Sequence, residues 1–149
     1  MRFSLRSDYA LRAALDLAIH ASPTALARTA DVARRTGAPA KFLEAVVGQL
    51  LQAGIVESQR GSRGGHRLGR AASRIRASDV IRAVEGPEAL VARPAVRRTP
   101  GSAQAGAARA LHQLWTEAER ALEAQLDGVT LEDLARRVQE SSSIPDFSI

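Results

Sequence analysis

Residues Gln59 to Arg70, QRGSRGGHRLGR, carry the side chains best equipped to hold an anion. Arginines stand at 60, 63, 67 and 70 among glycines at 61, 64, 65 and 69, with no acidic residue between them. Guanidinium groups match phosphate through a planar fork of donors, and glycine lets a backbone approach a ligand closely. Such a segment serves a nucleotide-cradling loop, a basic linker, or a surface that touches a phosphate backbone. A Walker loop requires two glycines five apart followed by Lys and Ser or Thr, and a dinucleotide fingerprint requires GxGxxG between a strand and a helix. Neither spacing occurs. The histidines at 20, 66 and 112 have no metal-ligand spacing, no Ser–His–Asp grouping is recognisable, and the chain contains no cysteine. No enzymatic activity, cofactor or thiolate metal site is expected.

The flanking elements decide between the remaining uses. GIVESQR reads as a short strand, GSRGG as a turn and HRLGR as a return strand, so the segment is a hairpin rather than a linker. Before it, Ser7 or Asp8 is suited to cap a helix reaching about His20, and Pro23 interrupts the chain. A short helix is expected at about 29–35, stopped by Gly37. A second runs from about Pro39 to Gln52, with Phe42, Leu43, Val46, Val47, Leu50 and Leu51 at helical spacing. Two short helices around RTGAP form a helix-turn-helix pattern, and a basic hairpin after them makes a winged helix. In that arrangement the second helix enters the major groove by its N-terminal residues. Its outer face offers Ala40, Lys41, Glu44, Ala45, Gly48 and Gln49. Lys41 can donate to guanine and Glu44 can accept from a cytosine amino group. The contact set expected for double-stranded DNA is Arg28, Pro39, Ala40, Lys41 and Glu44, with Arg60, Gly61, Ser62, Arg63, Gly64, Gly65, His66 and Arg67 of the hairpin. Arg34, Arg35 and Arg70 are further candidates.

Downstream, Ser78 is placed to cap the short helix DVIRAVE, closed by Gly86. Residues 87–105 lose periodicity and read as a loop. A long helix is expected from near Ala107, with Leu111, Leu114, Trp115, Ala118, Leu122 and Leu126 along one face. An amphipathic helix set apart by a loop needs a partner, and pairing with its copy in a second chain supplies the two-fold symmetry that paired DNA half-sites demand. TLED at 130–133 has the form of a capping box opening a last helix to about 138. The expected organisation is mainly α with a small β-hairpin wing. A DNA-binding domain spans 1–86, a loop 87–105, a dimerisation helix and short helix 106–138, and a flexible tail 139–149.

Charge divides in the same way. Residues 1–76 hold 13 Lys and Arg against 5 Asp and Glu, whereas residues 77–149 hold 8 against 11. The basic half is suited to a polyanion. With 45% hydrophobic and 25% charged residues, a globular core is expected. No apolar run is long enough to span a bilayer and no signal peptide is recognisable, so a cytoplasmic protein is expected.

The stretches SDYALRAALDLA, DVARRTGAPAKFLEAVVGQLLQAGIVESQRGSRGGHRLGR, SDVIRAVEG and LHQLWTEAERALEAQLDGVTLEDLARR resemble the IscR/NsrR/CymR-type winged helix-turn-helix regulators of bacteria. The resemblance covers nearly the whole chain apart from 87–105 and the tail. It implies a homodimeric transcription factor, usually a repressor, that binds a palindromic site and pairs through the long helix; it also supports Glu44 as a base contact. Many members hold an iron–sulphur cluster on three cysteines near the start of that helix. Here Arg109 stands where the last of these is expected. His112 and Asp8 match positions that supply ligands in some branches, but thiolates provide most of the ligation in such sites. The resemblance therefore implies a cluster-free member, in which a protein partner or small-molecule effector is the alternative means of control.

Overall fold

The computed structural model describes residues 4–22, 24–87 and 102–142. Its elements are α1 (Leu5–His20), α2 (Thr29–Thr36), α3 (Ala40–Gln52), β1 (Val56–Gln59), β2 (Gly65–Leu68), a single 3-10 turn at Ala72–Arg74, α4 (Ala77–Glu85), α5 (Ser102–Asp127) and α6 (Leu131–Ser142). The mainly helical architecture with a two-stranded wing matches the expectation. The long segment read as a loop lies mostly outside the described residues, as does most of the tail.

α1 is the centre of the core. Ala10, Ala13, Ala14 and Leu17 recur at helical spacing and are essentially inaccessible, so α1 presents a narrow, smooth face. Against it pack α2, α3, α4 and α6, and β2. Leu43, Val46 and Leu50 of α3, Val80 and Val84 of α4, and Leu131 of α6 fill the same cluster. Two caps differ from those expected. Ser4, not Ser7 or Asp8, caps α1 by accepting from the Ser7 N–H. Ser7 is buried and donates to the Glu85 carboxylate at 2.9 Å, while Asp8 pairs with Arg12 at 2.8 Å one turn on. Likewise Ser78 lies inside α4, which starts at Ala77, with Asp79 accepting the Arg76 backbone N–H. Both serines are drawn inward by a distant carboxylate, a pull that local spacing does not reveal.

α5 begins at Ser102, five residues before the expected start, since SAQAG contains good helix formers and one glycine costs only about 1 kcal/mol. α6 continues to Ser142, beyond 138. Its capping box forms as read: Thr130 N–H reaches the Asp133 carboxylate at 3.0 Å and the Asp133 N–H returns to Thr130 Oγ1 at 3.1 Å. Donation from the Thr130 N–H, and from its hydroxyl at 2.8 Å, holds the Asp133 carboxyl below its usual range.

The hairpin is antiparallel, with Val56 opposite Leu68, Glu57 opposite Arg67, Ser58 opposite His66 and Gln59 opposite Gly65. Ala27, just before α2, adds a third rung. Its N–H reaches the His66 carbonyl at 2.9 Å and its carbonyl accepts the His66 N–H at 2.7 Å. Gly65 makes that rung possible, because a Cβ there would sit 2.8 Å from the Ala27 oxygen. The His66 ring turns inward, Nε2 lying 2.8 Å from Thr29 Oγ1, while Nδ1 is buried with no hydrogen-bond partner among the described residues. Burial lowers its pKa from the ordinary 6.5.

α2 is anchored to α1 through Arg35, whose Nε and Nη2 each lie 2.7 Å from an oxygen of Asp16. Asp16 is only 7% exposed. The hydrogen bond to that carboxylate raises the Arg35 pKa, so the guanidinium keeps its charge.

Two stability outcomes follow from these contacts. Arg35→Ala strands a buried carboxylate. Because Arg35 itself keeps 31% of its side-chain surface, a loss of about 2–3 kcal/mol is expected rather than the upper end for buried pairs. Urea unfolding measures it, and an unchanged midpoint would refute the anchor. For His66, a folded ring with lowered pKa is neutral when the unfolded ring has already taken a proton. Stability is therefore full above about pH 6.5 and declines as pH falls below it, until the folded ring protonates as well. His66→Gln is expected to flatten that decline, read from unfolding midpoints between about pH 7 and about pH 5.

Candidate nucleic-acid interface

The recognition helix is set by its buried side. Gly37 ends α2 in the left-handed conformation (φ 69°), Ala38 is buried beneath the turn and Pro39 occupies the N-cap of α3. The Phe42 ring meets Tyr9 of α1 edge to face, with centroids 5.3 Å apart. With Leu43, Val46, Val47 and Leu50 buried, the helix turns Ala40, Lys41, Glu44 and Ala45 to solvent. Pro39 is exposed beside them. Gln49 departs from the expected outer face, since its amide donates to the Val84 carbonyl of α4 at 3.4 Å.

In the wing, Gly61 takes a positive φ of 112° and its carbonyl accepts the Gly64 N–H at 2.9 Å, which puts Ser62 and Arg63 at the apex. A Cβ on Gly64 would come within 2.2 Å of the Gln59 oxygen, so this turn requires glycine. The four arginines of the segment divide evenly. Arg60 and Arg63 are exposed and make no ion pair or hydrogen bond among the described residues. Arg67 instead pairs with Glu57 across the ladder at 3.0 and 3.2 Å, and Arg70 donates to Asp79 at 3.4 Å and to the Arg74 carbonyl at 3.2 Å. The Glu57 pairing was legible in principle, since hairpin register sets the two residues opposite one another.

The α2 side contributes less free charge than its composition suggests. Arg35 is committed to Asp16, and Arg34 lies 2.8 Å from Asp31. Arg28, at the N-cap of α2, reaches across to the wing and donates to the Ser62 carbonyl at 2.6 Å. His66 faces Thr29 rather than the solvent side of the hairpin. Between α2 and the hairpin lies an open cleft of ≈ 640 Å³ bordered by Arg28, Thr29, Ser58, Arg60, Ser62 and His66. Arg28 and Arg60 give its border positive charge. Lys41 and Glu44 are exposed and make no ion pair among the described residues.

Away from this face, α5 carries Leu111, Leu114 and Trp115 about half exposed, with Ala118 exposed and Leu122 and Leu126 half-buried. Its C-terminal end is tied to α4: Asp127 accepts from buried Ser78 Oγ and, at 3.3 Å, from Arg82 Nη1, while Arg82 Nη2 meets Glu123. The Ser78 hydrogen bond, aided by Arg82, holds the Asp127 carboxyl below its usual range.

Comparison with known proteins places this geometry. Residues 3–137 match the Rrf2 family model, described as iron-dependent transcriptional regulator. The IscR regulator of Vibrio atlanticus is 35% identical over 153 aligned residues, covering 100% of this chain and 84% of that protein. The protein rrf2 of Nitratidesulfovibrio vulgaris is 34% identical over 140 residues, covering 91% of this chain and 88% of the relative. Among solved structures, CymR, the global cysteine regulator of B. subtilis, superposes with a TM-score of 0.75 at 30% identity, covering 92% of this chain and 98% of its own. These are DNA-binding regulators and not enzymes, and the chain belongs to the Rrf2 family of transcriptional regulators.

Proposed function

We infer that the protein is a homodimeric, cytoplasmic repressor that grips a palindromic DNA site through α3 and the wing, without an iron–sulphur cluster. The observation that carries this reading is the distribution of unpaired charge. Lys41 and Glu44 on the recognition helix and Arg60 and Arg63 on the wing stay exposed and uncommitted, while Arg35, Arg67 and Arg70 are consumed by the fold. An arginine without an internal partner releases counterions when it meets phosphate; one already neutralised contributes far less. Arg60 and Arg63 are therefore the main grip, and Glu44 is the residue that chooses among bases.

Dimerisation has its support in α5. A contiguous stripe of Leu111, Leu114 and Trp115 left half in water favours burial against a second copy. Two wings on one duplex then stand about one helical turn, ~34 Å, or a multiple apart. A dimer seated there excludes other proteins from a promoter, which makes repression the simplest route from binding to control.

The family's iron chemistry does not fit these residues. Cysteine is absent, Arg109 is exposed on α5, and Asp8 is already engaged by Arg12. His112 is exposed, and no group of three potential ligands occurs among the described residues. Control falls instead to a protein partner or a small molecule that alters wing spacing through the polar α4–α5 joint of Ser78, Arg82, Glu123 and Asp127.

Binding isotherms at several salt concentrations, on specific and scrambled duplexes, test the grip. Arg60→Ala and Arg63→Ala are each expected to weaken both duplexes and to reduce the salt slope by ~0.9. Glu44→Ala is expected to narrow the gap between the duplexes by about tenfold while leaving the slope alone. Unchanged slopes in the wing variants would remove the phosphate role. For the dimer, sedimentation at micromolar concentration is expected to give twice the chain mass for the native protein and a shift toward monomer for Trp115→Ala and Leu122→Asp. A native monomer sinks that part of the reading.

A further inference from the structure

We propose that Arg28 is a positioning residue: it acts as a strut from the helix-turn-helix to the tip of the wing, rather than as a phosphate ligand. Three consecutive residues attach α2 to the hairpin in three different ways. Ala27 pairs with the His66 backbone through bonds of 2.9 and 2.7 Å, Thr29 Oγ1 meets the His66 ring at 2.8 Å, and between them Arg28 Nη2 donates to the Ser62 carbonyl at 2.6 Å. The first two hold the base of the wing. Only Arg28 reaches its apex, the residue beside Arg63.

The wing needs such a strut. Each strand is four residues long, and an isolated two-stranded hairpin of that size is marginal in water. Arg60 and Arg63 have no partner among the described residues to steady them, so their placement relative to α3 depends on the backbone that carries them. α2 packs directly against α3, and Arg28 therefore references the wing tip to the recognition helix. The guanidinium also covers a turn carbonyl, whose partial negative charge would oppose an approaching phosphate. Arg28 thus contributes to affinity by holding Arg60 and Arg63 in place, which differs in a measurable way from contributing a charge of its own.

Hydrogen exchange on the free protein and a double-mutant cycle on DNA separate the two roles. Arg28→Met keeps the aliphatic stem and removes the donors. It is expected to speed exchange about tenfold at the Gly64 and His66 amides, which bond to Gly61 and Ala27, with amides of α1 and α3 unchanged as an internal check on folding. In the native background the same change is expected to weaken DNA binding about tenfold. With Arg60→Ala and Arg63→Ala already present the loss should fall below about twofold, because the strut then has nothing to position. Arg28→Lys, which keeps the charge, should restore less than half of the lost exchange protection, since a lysine ammonium lacks the guanidinium's fixed fork. Equal losses of affinity in both backgrounds, with native exchange rates, overturn the proposal and make Arg28 a phosphate ligand. The affinity arm rests on the DNA-grip reading above and the exchange arm does not, so failure of that reading leaves the strut still measurable.

Discussion

Close approach of helices to α1 is the constraint on which the rest of the molecule depends. Ala10, Ala13 and Ala14 present almost no side-chain bulk, and each is completely buried. Larger residues there would push α2, α3, α4 and α6 outward, and protein interiors tolerate such overpacking poorly. Because α1 touches every one of those helices, its face sets the positions of both helices of the DNA-reading motif at once. The Asp16–Arg35 pair adds orientation to this packing. A buried carboxylate with a forked partner admits one angle of α2 across α1, where apolar contact alone would allow several.

Around that core, charge is sorted by whether it finds a partner inside the chain. The arginines nearest the hydrophobic body are neutralised by acids on other elements: Arg35 by Asp16, Arg67 by Glu57, Arg70 by Asp79 and Arg82 by Asp127. Lys41 of α3 and Arg60 and Arg63 of the wing have no such partner among the described residues. The same residue type therefore stabilises the fold at one position and stays unpaired at another, and burial and pairing distinguish the two. α3 carries one cation, Lys41, while the wing carries two unpaired ones, Arg60 and Arg63, on a hairpin fastened to α2 through Ala27, Arg28 and Thr29.

At the other end, α6 returns to the core through Leu131, while α5 stands outside with its apolar stripe half in water. Backbone pairing of Arg76 with Thr130 and the Ala77 N–H to the Val129 carbonyl at 2.9 Å fasten the start of α6 beside α4. The arrangement closes this domain against only the C-terminal turns of α5, and the stripe of Leu111, Leu114 and Trp115 stays outside it. Arg82 is the hub where these parts meet, and its partners Glu123 and Asp127 both belong to the last two turns of α5.

The order and type of the elements were determined by the sequence itself. Helical spacing of Leu43, Val46 and Leu50, glycine at 37, 54 and 86, and the glycine-rich turn between two short strands are local signals, and each element formed where such a signal lay. The lack of cysteine was equally legible, and with it the loss of thiolate ligation. Helix starts were read less well: Ser7 and Ser78 have the chemistry of caps, yet both point inward to Glu85 and Asp127, 78 and 49 residues away. The candidate site divided in the same manner. Exposure of Lys41, Glu44, Arg60 and Arg63 could be read from periodicity and turn chemistry. The commitments of Arg28 to Ser62, Arg35 to Asp16, His66 to Thr29 and Gln49 to Val84 could not, because they join residues 19 to 37 positions apart. Secondary structure is written in neighbours along the chain; which cation is left unpaired is decided only when distant elements meet and their charges are counted together.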